Sequence, residues 1–254
     1  MEKNLKQNVA SGLTWKFAER ILAQLVTFVV SIVLARLLSP EHYGAIAIVN
    51  IFIALANVFV VSGFGNSLIQ KKDADDTDFS SVFYFNIFLG IVLYGVVFLI
   101  APFIASFYNM PILKPVLRVM GLRLIVASVN NVQHAYVSKK MMFRRFFWST
   151  LGGTLASAVV GIAMAYNGFG VWALVGQYLT NTVTDTIVLW FTVKWRPKFL
   201  FSFKRLGALF SYGWKILCSA LLDTGYNELR SLIIGKMYTS ADLAYYNKGK
   251  SFPN

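Results

Sequence analysis

Leu34–Gly44 reads LARLLSPEHYG, and Ile233–Tyr246 reads IIGKMYTSADLAYY. Each closes a long, largely apolar stretch that carries a Trp-Lys pair, Trp15-Lys16 in the first copy and Trp214-Lys215 in the second. The pairs are 199 positions apart, while Arg36 and Lys236 are 200 apart, so one residue has slipped between them. Two copies separated by a set of apolar runs are the pattern of membrane transporters built from two lobes. With the chain ending at Asn254, the sequence reads as one lobe and the start of a second.

The composition agrees. The chain is 57% hydrophobic, 16% aromatic and 14% charged, whereas soluble domains carry about 25% charged residues. The net charge is +13, but the cations sit in short connections between apolar runs. That placement marks topology rather than nucleic-acid binding, so no nucleic-acid partner is expected. A single cysteine, Cys218, excludes an internal disulfide and a cysteine-based metal site. The first apolar run ends in Arg36-Leu37-Leu38-Ser39-Pro40 and is too long for a cleaved signal.

A bilayer core takes about 20 apolar residues per helix. Seven spans are expected: Gly12–Leu38, Tyr43–Gly65, Val82–Phe107, Leu113–Val137, Phe146–Tyr166, Phe169–Val193 and Leu209–Lys236. Ser39-Pro40-Glu41 reads as a helix start with proline in its first turn. Asn109-Met110-Pro111 and Asn167-Gly168-Phe169-Gly170 read as tight connections. Thirteen Lys and Arg, among them Lys71, Lys139, Arg144, Lys198 and Arg205, fall on one side, against Arg36, Lys114 and Lys236 on the other. The bias places the N-terminus and the basic loops in the cytoplasm. Six spans separate the two copies, an even number, so both enter the membrane in the same direction and the repeat is parallel. The expected fold is an all-α polytopic transmembrane bundle. A six-helix N-lobe occupies residues 1–205, and 206–254 begin the second lobe.

Polar residues within the spans must face protein or water. Lys16, Arg20, Gln24, Thr27 and Ser31 share one face of the first span. The fourth carries Arg123 near mid-membrane, Arg118 nearer the outer interface, and Asn130, Asn131 and His134. Gln177, Asn181 and Asp185 repeat every four residues on the sixth. Lys215, Ser219, Asp223, Asn227 and Arg230 line the seventh. For most of these, hydrogen bonding between helices is a sufficient role. Arg123 is the exception, because a central arginine costs about 2.5–3.5 kcal/mol to insert. It points to a cationic cavity, with Asp185 as its candidate partner in this lobe. Asp185 and Asp223 are also candidates for coupling to a proton or sodium ion. Gly153, Ser157 and Gly161 form a small-residue packing face. The acidic run Asp73–Asp78 reads as a solvated loop. No catalytic pairing, metal spacing or cofactor motif emerges.

LARLLSPEHYG (34–44), SGFGNSLIQKKD (62–73), GVWALV (170–175), KWRPKF (194–199) and SLIIGKMYTSADLAYYNKG (231–249) resemble the polysaccharide exporter family. These are the Wzx-type flippases related to the colanic acid exporter, within the multidrug/oligosaccharidyl-lipid/polysaccharide superfamily. The resemblance covers the N-terminal half of such a protein. One departure is Asp242-Leu243-Ala244, where a glycine after an apolar or aromatic residue is expected. The resemblance implies a non-enzymatic, multi-pass protein of the bacterial inner membrane that flips undecaprenyl-pyrophosphate-linked sugar units by alternating access. Its partners would be membrane lipid, that lipid-linked oligosaccharide, and the polymerase and chain-length proteins of the pathway. A cationic lumen suits a pyrophosphate. Arg123, with Arg20 and Arg118 behind it and Gln24 and Asn131 nearby, is the expected lumen set. The rival readings are a small-molecule antiporter of the same fold and a membrane glycosyl- or acyltransferase.

Overall fold

The computed structural model describes residues 2–251, apart from the side chains of 2–16, 18, 19, 143 and 251. The described residues form nine helices and no strand: α1 (Glu2–Leu37), α2 (Pro40–Val61), α3 (Phe64–Gln70), α4 (Asp76–Phe107), α5 (Leu113–Lys139), α6 (Phe143–Tyr166), α7 (Val171–Thr192), α8 (Phe203–Met237) and α9 (Ser240–Ser251). Five segments are long and apolar enough to cross a membrane: Arg20–Leu37, Pro40–Gln70, Asp76–Phe107, Leu113–Lys139 and Arg144–Tyr166. The chain is an all-α, multi-pass membrane protein. The expected sixth and seventh spans do form helices of 22 and 35 residues. They fall outside the apolar set because Gln177, Asn181, Asp185 and five threonines dilute α7, and Lys215, Asp223, Glu228 and Arg230 dilute α8.

The turns follow local chemistry. Ser39 is extended (φ −71°, ψ 155°), and Pro40, which has no N–H to satisfy, opens α2. Asn109 adopts φ 53°, and Gly168 and Gly170 adopt φ 77° and 55°, so both expected tight connections turn through left-handed backbone. The repeat is visible in the fold. α1 ends at Leu37 and α8 at Met237; α2 begins at Pro40 and α9 at Ser240. Each boundary therefore recurs 200 residues later. The second copy lacks the proline and starts α9 by another device. Thr239 Oγ1 accepts from Asp242 N at 3.2 Å, and Asp242 Oδ2 accepts from Thr239 N at 3.1 Å, a capping box. This gives Asp242 its role; the missing glycine noted above is Ala244, opposite Gly44 of the first copy. The side chains of Trp15 and Lys16, part of the first copy, lie outside the described residues.

Several boundaries differ from expectation: α1 begins at Glu2 rather than Gly12, α8 at Phe203 rather than Leu209, and two more have a clear physical cause. The second span stops at Val61 rather than Gly65. Its end is held by Asn131 of α5, whose Nδ2 donates to the Val60 carbonyl at 2.7 Å, one of the carbonyls a helix end leaves without a partner. Ser62-Gly63 then re-aims the chain into α3. The third span begins at Asp76 rather than Val82, because Asp75 and Asp78 form a capping box there. α4 is thus 32 residues long, about 48 Å, against a hydrocarbon core of about 30 Å.

Packing is helix on helix. Gly153 lies against the Asn181 carbonyl of α7, and Gly161 against the Gln177 side chain. The small face of α6 packs closely, as expected, and its partner is the polar stripe of α7. A core of Val49, Leu117, Met120, Leu124 and Ala173 joins α2, α5 and α7. At the basic end a second cluster joins Phe79, Val132, Phe146, Leu189 and Trp195.

Only the start of the acidic run is a solvated loop: Asp73 is exposed in the turn, whereas Asp76 to Asp78 open α4 and Asp75 caps it. Asp75 pairs with Arg205, Asp76 with Lys198 at 2.6 Å, and Asp78 with Lys71 at 2.7 Å. Ser80 and Ser81 hydroxyls accept from Lys198 N and Ser202 N, each at 3.0 Å. Together they moor the extended connection from α7 to α8 onto the start of α4. The Arg205 guanidinium, donating to Asp75, holds that carboxyl below the usual carboxylate range.

Candidate substrate cleft

Two adjoining cavities lie at mid-bundle. The larger, about 360 Å³, lies between α1, α2, α7, α8 and α9, with Thr27, Ser31, Tyr43, Gln177, Asn247 and Lys248 in its walls. The smaller, about 300 Å³, lies between α2, α5 and α7, with Asn57, Arg123, Ala127 and Thr182 in its walls. Asn50, Ala54 and Tyr178 line both, so the two are parts of one cleft.

Arg123 is placed by α5, half-buried. Its Nε donates to Thr182 Oγ1 at 3.1 Å, and its guanidinium carbon lies 5.1 Å from the centre of the Tyr178 ring. Both partners are neutral. Asp185 does not pair with it, contrary to the expectation above. That carboxylate sits one turn further along α7 and accepts from Asn130 at 2.6 Å and from His134 at 3.0 Å. The α5–α7 register sets this: Arg123 and His134 lie eleven residues apart on one stripe of α5, so each meets a different turn of α7.

The cleft gathers part of the expected lumen set. Thr27 and Ser31 bring the polar face of α1 to it. Gln24 and Arg20, one and two turns before Thr27 on that face, are exposed. Arg118 stacks over Phe98 of α4 at 3.9 Å, outside both cavity walls. Asn131 is buried at the α2–α3 break. Asp223 is exposed on α8. Sequence reasoning passed over Tyr178 and Thr182, which hold Arg123, and Asn50 and Asn57, which complete the wall. Their signal was present, since polar residues at α7 spacings of four share Arg123's depth. No group of three or more His, Cys, Asp or Glu that could hold a metal occurs among the described residues.

Chemically the cleft offers Arg123 in its smaller part, Lys248 and Glu228 in its larger part, and neutral hydrogen-bonding groups and tyrosine rings between them. Residues 33–254 match a family model described as polysaccharide biosynthesis protein. The chain belongs to this family. It is 24% identical over 252 residues to the succinoglycan biosynthesis transport protein ExoT of Rhizobium meliloti, covering 98% of this chain and 51% of that protein. It is 23% identical to the lipopolysaccharide biosynthesis protein WzxC of Escherichia coli, covering 96% and 50%. It is 23% identical to the teichuronic acid biosynthesis protein TuaB of Bacillus subtilis, covering 96% and 51%. The chain spans about half the length of these curated relatives. No solved structure matches it.

Proposed function

We propose that this chain supplies the first lobe of a transporter that flips undecaprenyl-pyrophosphate-linked oligosaccharide across the bacterial inner membrane, with its N-terminus and basic loops in the cytoplasm. The observation that carries the reading is Arg123, a cation in a mid-bundle cavity whose near partners are a hydroxyl and a tyrosine ring. Its charge is left for an anion, and a low-dielectric surrounding strengthens that attraction. Asn50, Gln177 and Asn247 suit the hydroxyls of a sugar. The relatives named for succinoglycan, lipopolysaccharide and teichuronic acid biosynthesis support a glycan pathway.

The rival readings fit less well. A cation antiporter needs a carboxylate where Arg123 stands; Glu228 lines the other part of the cleft, where Lys248 shares the wall. A surface transferase needs free carboxylates, and Asp75, Asp76 and Asp78 are engaged by Arg205, Lys198 and Lys71. The protein acts by binding and moving substrate, and the polymerase and chain-length proteins of the pathway would receive it. Depleting the intact protein in a bacterium that carries its pathway should leave lipid-linked repeat units on the cytoplasmic leaflet and remove the surface polymer. Unchanged polymer after depletion overturns the reading.

A further inference from the structure

Asn130 and His134 of α5 meet Asp185 of α7 inside the bundle. Asp185 Oδ2 lies 2.6 Å from Asn130 Nδ2 and 3.0 Å from His134 Nε2. The carboxylate side chain is 17% exposed and the imidazole 40%. The imidazole stacks on Phe146 of α6, with centroids 5.0 Å apart and planes at 21°. Asp185 is the only carboxylate on α5, α6 and α7.

This geometry restricts where protons sit. His134 Nε2 lies 3.0 Å from both Asp185 Oδ2 and Asn130 Nδ2. The Asn130 amide makes its shorter bond to Oδ2 at 2.6 Å, and a bare Nε2 would set its lone pair against that of the carboxylate. The pair therefore has two states. With one proton, on Nε2, it is a neutral imidazole beside a carboxylate, with net charge −1. A second proton on Nδ1 makes the pair neutral overall, wherever the bridging proton rests, so the titration belongs to the pair and not to either residue. In both states Asn130 Nδ2 donates to Asp185 and holds the carboxylate in place. His134 is five residues from the end of α5 at Lys139, about 8 Å from the basic end of the bundle.

We propose that His134 and Asp185, held by Asn130, form a proton-binding site within the membrane whose occupancy sets the anion affinity of the Arg123 cavity. The inference rests on the anion-binding reading of that cavity. Thr182, which accepts from Arg123, precedes Asp185 by three residues, close to one turn. The singly protonated pair thus places a negative charge on the order of 10 Å from the guanidinium and offsets part of its field. The second proton removes that offset. Proton and anion then reinforce each other, by roughly tenfold in anion affinity at an effective dielectric constant of about 20.

The other charged groups around the pair are cationic or distant. Arg123 and Lys139 flank it on α5, and Arg144 and Arg145 open α6 beside Phe146. α1, which packs on α6, brings Arg20. The elements packed on the other side of α5 place Lys71, Asp76 and Asp78 at the basic end, in the ion pairs already described.

The test uses the intact protein in liposomes. Infrared difference spectra between alkaline and acid buffer should show a coupled imidazole–carboxylate signal that is missing in Asp185→Asn and in His134→Gln. Binding of farnesyl sulfonate, a prenyl anion of fixed charge, should tighten about tenfold as the site fills. At alkaline pH, Asp185→Asn should already bind as tightly as the wild type does at acid pH. Identical spectra for the wild type and Asp185→Asn overturn the proton site. A titrating signal with pH-independent farnesyl sulfonate binding overturns the linkage. A titrating signal with no binding at any pH overturns the linkage and the anion-cavity reading together, and leaves the proton site standing.

Discussion

Replacing Arg123 by glutamine should separate substrate binding from stability. A phosphate oxygen about 4 Å from the guanidinium gains about 4 kcal/mol at an effective dielectric constant of 20. Desolvation of the phosphate offsets part of that, leaving about 2–3 kcal/mol. By the rule of about 1.4 kcal/mol per tenfold, Kd for a prenyl pyrophosphate should rise by about 30- to 150-fold. The bundle itself should lose little. No carboxylate among the described residues pairs with Arg123, so the substitution strands no charge. Thr182 keeps its own bond to the Tyr178 carbonyl at 3.1 Å. The assay is a titration of the purified intact protein with farnesyl pyrophosphate, alongside a thermal melt in the same detergent. Arg123→Lys should recover part of the affinity, because it restores charge without the bond from Nε. Arg118→Gln should bind nearly as the wild type, since Arg118 stacks on Phe98 outside the cavity walls. Equal affinities for the wild type and Arg123→Gln, or a loss shared by Arg118→Gln, refute the reasoning.

Three further outcomes follow from the packing. Asn131→Ala leaves the Val60 carbonyl without its donor at a buried helix end and should cost about 1–3 kcal/mol in denaturant unfolding; a variant as stable as wild type contradicts that role. Gly44→Val should weaken the α2–α9 contact, because a Cβ at Gly44 would stand 2.0 Å from the Ser240 carbonyl oxygen, at about 1–3 kcal/mol in a melt. The Asp75 carboxyl is held below its ordinary range mainly by the Arg205 hydrogen bond. Its contribution is therefore fully present above the unfolded carboxylate pKa near 3.9 and is lost as pH falls through the lower folded value. Asp75→Asn should abolish that acid-side loss, and the effect should be small and salt-sensitive, as for any exposed pair. An unchanged acid melting profile in Asp75→Asn would count against the mooring of the α7–α8 connection.

How much was legible in the sequence follows from the range of each interaction. Ser39-Pro40, Asn109 and Gly168–Gly170 announced turns because the chemistry that bends the chain there lies within a few residues. The repeat of the α1–α2 break at α8–α9 could be read for the same reason, although capping by Thr239 and Asp242 replaces proline. α3 was hidden because its seven residues, Phe64–Gln70, are too few to show a period. Ser62-Gly63 marked a break locally, but the Asn131 bond that fixes the end of α2 comes from a distant helix. Arg123 was found because a mid-span arginine stands out on its own. Its true partners were not, since pairing Thr182 with Arg123 and Asp185 with His134 depends on the register of α5 against α7. The acidic run was misjudged in the same way: Arg205 and Lys198 lie more than a hundred residues away in sequence and reach it only through the fold.

The central claim is movement of a lipid-linked glycan between leaflets through a cleft containing Arg123. Its most direct measurement places the intact protein in liposomes carrying a fluorescent undecaprenyl-pyrophosphate-linked oligosaccharide, with a membrane-impermeant quencher added outside. Wild-type protein should make the inner-leaflet label accessible over time, and Arg123→Gln should not. Equal accessibility with the wild type, with Arg123→Gln and with empty liposomes would contradict the account.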